Sequence, residues 1–535
     1  MAQGASEGFI GAVKGAEITV DSICSCGRRH RASPERTQDK VTVSAFKDAG
    51  IVAATWVCRR TGQLGRGPLS QAPLFYSVRD DALHFSTDLR ELVGETPPWS
   101  AAVAAALGGV VPHAPLTPYE NVFQLACGTT LTVTGGKERL ELMELGLREL
   151  IDSAQRLVGH RNPTVALRRA LAHAVEDSLA GADESAGVLG DGGGLGAAAI
   201  AAAGGDRLRR VHVHVNVPVL QRRRDRLMPG TEVIDGSPAW LRASDPGWPR
   251  YFHEADAWPP EGGATWPGST RPLSGAVLAD AMAAPPPTLG RLRSGWVRLA
   301  DASPNTDLRG RRGWRAWLRP KPIEAAAEAP PADGEGESPP PERMEHGKWL
   351  SLEARGSRVP VSAAYVASHL VPADDDTTGT RAMLTAIIKT MEATPLSGPG
   401  LMGRAPVRVC AHPVVVGTLA GLALDGRLSM RTRHGYADPV PLLRSLVPSQ
   451  WRPADVAPME REQLLAAAFV TRALGRREQR TALMDRVESS PWIDRDALKA
   501  VLADSHTILF DALALQRLHV TAVRYGDALY EGVAQ

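Results

Sequence analysis

The stretch GVLGDGGGLGAAAI, residues 187–200, reads as a strand that runs into a glycine turn and then into an alanine-rich helix. A turn of this kind offers free backbone N–H groups, and the start of the following helix adds a partial positive charge. The backbone half of a phosphate seat is therefore written into these fourteen residues, and the side chains of the turn decide whether a phosphate is still held.

Outward from the turn, NPTVALRRALAHAVEDSL (162–179) carries helical periodicity and RVHVHVNV (210–217) alternates as a strand. Helix, strand, helix and strand in this order predict a parallel α/β sheet. His212, His214 and Asn216 share one face of the second strand, because side chains alternate along a strand. Two readings stay open for them: they line the pocket beside the turn, or they are polar groups satisfied under a neighbouring helix.

Before residue 145 the chain is rich in short alternating or β-branched runs parted by turn residues: KVTVSAF (40–46), GIVAATWVC (50–58), PLFYSVR (73–79), ALHFST (82–87) and TTLTVTGG (129–136). These predict one β-rich domain over residues 1–150 and a second domain over 160–535. Residues 361–535 read mostly as helix, with REQLLAAAFVTRAL (461–474) and RDALKAVLADSHTILFDALALQRL (495–518) showing three- and four-residue apolar spacing. Residues 251–287 are crowded with Pro, Gly and Trp. The Pro/Glu/Gly composition of 320–347 predicts a disordered insertion that buries no core.

Composition narrows the function classes. A chain of 535 residues, 43% hydrophobic and 22% charged, has the balance of a globular protein with room for more than one core. With 61 basic against 59 acidic residues the net charge is +2, so no global field draws the chain to nucleic acid or to a membrane. The apolar run at 414–424 is broken by glycine and falls short of the roughly 20 residues of a membrane span. The first residues, MAQGASEGFIGAVKGAE, show no basic segment leading into an apolar run, which predicts a cytoplasmic location. Five cysteines, an odd number in a long chain, predict reduced thiols.

Several segments, in order along the chain, resemble the asparagine synthetase family, above all its branch of β-lactam synthetases and lasso-peptide cyclases. PLFYSVRDDALHFSTDLRELV (73–93) and LTPYENVFQLACGTTLTV (116–133) are similar to that family's glutaminase-type domain. AVEDSLAGADESAGVLGDGGGLGAAAIAAA (174–203) is similar to the start of its synthetase domain, and DPVPLLRSLVPSQWRPADV (438–456) and WIDRDALKAVL (492–502) to its late helices. The resemblance implies an α+β N-terminal glutaminase-like domain of the Ntn type, followed by an α/β domain of the PP-loop ATP-pyrophosphatase kind.

The same resemblance exposes departures from working chemistry. Active glutaminase members carry a nucleophilic Cys after the initiator Met, and here residue 2 is Ala, so no glutaminase activity is expected. The family loop SGGxDS falls on Asp191, Gly192, Gly193, Gly194, Leu195 and Gly196. Leu195 has no oxygen for a magnesium ion, which demands oxygen ligands. Asp191 puts a carboxylate where it would itself accept the free N–H bonds and repel a phosphate. No GDGGDE-like turn lies between residues 211 and 347, and HEADAWPPEGG (253–263) is the nearest acidic-proline stretch. In DVAPMEREQ (455–463) the family's Lys position falls on Glu462 and its Arg position on Met459, with Arg461 an out-of-register substitute. Such changes reverse the stabilisation that adenylyl transfer needs.

The expectation is a catalytically degenerate member, with no cofactor, that binds a peptide or another biosynthetic protein, an intact homologue being one such partner. The alternative is an active ATP- and Mg-dependent amide ligase of the lasso-cyclase type whose site is rebuilt by other residues. Three further signals have bland counterparts. Cys24, Cys26 and His30 in CSCGRRH could ligate zinc or belong to an N-terminal loop; the expectation is no metal, since Cys-x-Cys is tighter than structural zinc spacing and no second pair follows. QRRRDR (221–226) is a solvated face rather than a nucleic-acid contact. Trp240, Trp248, Trp258 and Trp266 serve either as a binding face or as a plug in a vacated pocket.

Overall fold

The computed structural model describes residues 8–14, 17–23, 29–31, 39–79, 82–93, 107, 114, 117, 119, 121–134, 137–143, 146–159, 161–179, 185–190, 195–205, 208–214, 231–235, 270–274, 350, 380, 383–384, 387–388, 407–431, 436–451, 470, 474–488, 490–503, 508, 511–512 and 514–518. The stretches 240–266 and 320–347, the loop residues 191–194, Cys24, Cys26, Arg461, Glu462 and Met459 lie outside them.

Eleven strands build two antiparallel sheets from the first part of the chain. One runs β3–β2–β1–β8–β7–β9, from Arg29–Arg31 (β3), Glu17–Ile23 (β2), Gly8–Lys14 (β1), Ala82–Ser86 (β8), Phe75–Arg79 (β7) and Phe123–Gln124 (β9). The other runs β11–β10–β6–β5–β4, from Lys137–Leu142 (β11), Thr129–Thr134 (β10), Leu64–Arg66 (β6), Ala54–Cys58 (β5) and Lys40–Ser44 (β4). Alternation decides which side chains meet between them. Phe9 and Val13 of β1 and Leu83 and Phe85 of β8 share one buried cluster with Val43, Val57, Leu64 and Leu131 of the second sheet. Phe9 and Phe85 meet edge to face, with ring centroids 6.0 Å apart. The two sheets thus form a sandwich.

A short helix, Arg90–Val93 (α1), follows β8, and the loops at one end of the second sheet meet a helical layer. Phe46, Ala53, Leu69 and Cys127 belong to the same buried cluster as Leu147–Val158 (α2), Pro163–Leu179 (α3), Leu195–Gly204 (α4), Pro413–Leu424 (α5) and Val440–Leu446 (α6). In α2 the buried residues are Leu147, Ile151, Ala154 and Val158, an apolar stripe at helical spacing. The apolar helix α5 is buried along nearly its whole length, from Pro413 to Leu422. Its Gly417 and Gly421 let α2 approach: a Cβ at Gly417 would collide with the Leu150 carbonyl, and one at Gly421 would stand 3.2 Å from Ile151 Cγ2. With 12 residues, α5 is too short to span a membrane, and no described helix is long and apolar enough to do so.

A third sheet is parallel throughout. Its strands are Ser185–Gly190 (β12), Leu208–His214 (β13), Thr231–Asp235 (β14), Thr270–Ser274 (β15) and Val407–Arg408 (β16). Their order is β14–β13–β12–β15–β16, with every pair parallel. The first strand in the chain therefore lies in the middle. The chain grows outward on one side through β13 and β14, then returns to the other side of β12 for β15. The reversal falls between β12 and β15, and in open α/β sheets such a reversal opens a crevice at the carboxyl ends of the strands.

Candidate functional site

Beside this reversal β12 ends at Gly190 and α4 begins at Leu195. Register places His212 beside Gly190 and beside Val233, and His214 beside Asp235. Leu208 of β13 is buried in the cluster with Ala199 and Ile200 of α4. A Cβ at Gly204, near the end of α4, would collide with Leu208. From Gly204 back to Leu195 the helix rises about 14 Å, and from Leu208 on to His212 the strand rises about 13 Å. The backbone of His212 therefore stands level with the start of α4, and His214 and Asp235 stand one step beyond it, at the carboxyl edge of the sheet.

Of the turn, the structure describes only the last two of the six candidate residues. Leu195 is half-buried and packs against the apolar cluster of the helical layer. Gly196 is buried beside it. The Leu195 side chain thus contributes hydrocarbon to that cluster. Residue 30, considered with Cys24 and Cys26, lies on β3 in register with Ser22, not in a loop. Among the described residues no group of three or more His, Cys, Asp or Glu side chains is placed to hold a metal ion.

A second constellation, which sequence reasoning missed, joins the sandwich to the helical layer. Asp177 in the last turn of α3 and His412 at the N-cap of α5 are almost wholly buried, and His412 Nε2 lies 3.0 Å from Asp177 Oδ2. The Val414 N–H donates to His412 Nδ1 at 3.1 Å. Since Nδ1 accepts, the ring proton is on Nε2 and is given to Asp177. The other carboxylate oxygen, Oδ1, accepts from the Asp48 N–H at 2.9 Å, across from the second antiparallel sheet. Phe46 meets the His412 ring edge to face at 4.6 Å, and His173, one turn before Asp177 on α3, does so at 5.6 Å.

Burial alone would raise the Asp177 carboxyl. The hydrogen bonds from His412 and from the Asp48 N–H, with the nearby His412 and His173 rings, outweigh it and hold the group below the usual carboxylate range. Both ring nitrogens of His412 are engaged, so the ring has no free lone pair with which to act as a base. This constellation fastens layers together and does not perform proton transfer on a ligand. Its sequence signals were His173 and Asp177 four apart on one helix face and the string His412-Pro413 ahead of an apolar run, which marks a helix start.

A scan of protein-family models and a search of curated proteins find no match to this chain.

Proposed function

We propose that this chain is a catalytically degenerate relative of the asparagine synthetases that works by binding, with a peptide or another biosynthetic protein as its partner. The observation that carries the reading is the packing of Leu195 at the start of α4. A loop that holds magnesium pyrophosphate needs an oxygen ligand near the helix start, and here that position faces the apolar cluster. The parallel sheet with its reversal at β12 supports retention of a crevice for a ligand, without the group that would make it an adenylating site. Asp191 in the turn adds a negative charge where a polyphosphate would lie.

Pyrophosphate release tests this directly. The full chain is incubated with Mg·ATP alone and with amine-bearing peptides, and pyrophosphate and AMP are followed against a buffer control. The expected result is no release above the control. Sustained release of both products would favour the active amide ligase and overturn the binding reading.

A further inference from the structure

The Asp177–His412 constellation tolerates only one state of protonation. Three hydrogen bonds meet there: the Asp48 N–H to Oδ1, Nε2–H to Oδ2, and the Val414 N–H to Nδ1. They are all made when the carboxyl is ionised and the imidazole is neutral with its proton on Nε2. A proton added to Nδ1 sets one donor against another, the Val414 N–H. A proton added to Oδ2 faces Nε2–H, and moving the ring proton to Nδ1 only shifts the clash back to Val414. A proton added to Oδ1 displaces the Asp48 N–H. Every protonation costs a bond, but only those on the carboxyl cost a tie between elements: the Asp48 N–H joins the segment after β4 to α3 and Nε2–H joins α5 to α3, whereas the Val414 N–H caps α5 within its own first turn.

We propose that this junction is an acid-released latch, in which uptake of one proton by the Asp177 carboxyl undocks the segment around Phe46 and Asp48 from α3 and α5. Among the described residues, the groups that face the pair are few. His173 stands on α3 itself; the segment after β4 brings the Asp48 backbone, with the Lys47 and Asp48 side chains exposed; α5 has His412 and no other charged residue between Pro413 and Leu424. No described carboxylate or ammonium group of α5 is therefore available to replace the lost bond. Phe46, 2% exposed, loses its ring partner when the latch opens.

The sign follows from the lowered Asp177 carboxyl. An ordinary Asp titrates near ~3.9, so the latch contributes in full above that value and its contribution is lost as pH falls through the lower folded value. Binding of a proton by the junction is thus linked to opening of the docked segment, independently of any ligand in the crevice.

Amide hydrogen exchange on the full chain, with protection corrected for the intrinsic pH trend, tests the latch. The junction reporters are the Asp48 and Val414 amides. The reference reporters are Thr87 and Leu125, whose amides bond Phe9 O and Leu74 O inside the sandwich. Between about pH 7 and about pH 3, junction protection is expected to fall several-fold, up to about ninefold for one proton on a carboxyl that titrates at ~3.9 when open, while the reference amides keep theirs. In Asp177→Asn the Asp48 amide, which reports on the carboxyl alone, should be less protected at both pH values, with no further loss in acid. Unchanged junction protection in the native chain overturns the latch, as does simultaneous loss at junction and reference amides, which is global acid unfolding. Acid loss in Asp177→Asn equal to that of the native chain also overturns it. If Asp177→Asn does not fold, the comparison of the two reporter sets in the native chain decides alone.

Discussion

Asp177 Oδ2 accepts a hydrogen bond from His412 Nε2 at 3.0 Å across 235 residues of chain, with both side chains nearly inaccessible. The pair joins the last turn of one helix to the first residue before another. His412 also caps α5 through Nδ1, so one ring serves the tertiary contact and the helix start together.

Two roles on one ring predict two sizes of loss. His412→Ala removes the cap and leaves the Asp177 carboxylate without its ring partner, and a buried polar group stripped of a partner costs about 1–3 kcal/mol. His412→Asn keeps a side-chain oxygen at the cap, where Asn is among the preferred residues. Denaturant unfolding should therefore rank the native chain above His412→Asn, and His412→Asn above His412→Ala. Equal losses in the two variants would show that the cap contributes nothing.

Close approach of α5 to α2 rests on Gly417. A methyl group there meets the Leu150 carbonyl, which is backbone and cannot move without displacing the helix. Gly417→Ala is expected to cost about 1–3 kcal/mol, as overpacking does. Gly421→Ala should cost less, since its nearest neighbour is the tip of the Ile151 side chain. Thermal unfolding of the two variants checks the ranking.

Much of the β structure was legible from alternation. KVTVSAF, GIVAATWVC, PLFYSVR, ALHFST and TTLTVTGG contain β4, β5, β7, β8 and β10, because each presents β-branched or aromatic residues at period two. The strands β1, β2 and β6 went unread for physical reasons. GFIGAVK has glycine at two of its seven positions, EITVDSI alternates too weakly to stand out, and LGR is three residues long. The turn at 191–194 was visible as a turn because glycine marks it, and Leu195 was visible as a residue without oxygen. That it packs into the core required the helical layer. Asp177 and His412 escaped because their partnership depends on tertiary placement of two helix ends, which no local pattern encodes.

If Leu195 belongs to the core, then adding a charge there should harm folding without creating a site. Leu195→Asp places a carboxylate against the apolar cluster, and Leu195→Ala removes apolar area from it. Denaturant unfolding should show the alanine variant weakened by about 1–2 kcal/mol and the aspartate variant by more. A Leu195→Asp chain as stable as the native one would mean that the side chain is not needed for packing.

The most direct test of the proposal that this chain binds rather than adenylates is calorimetric titration of the purified full chain with Mg·ATP. The account predicts no measurable heat of binding, because Leu195 supplies no magnesium ligand and Asp191 opposes the phosphate. Saturable binding with a Kd in the low micromolar range would contradict it.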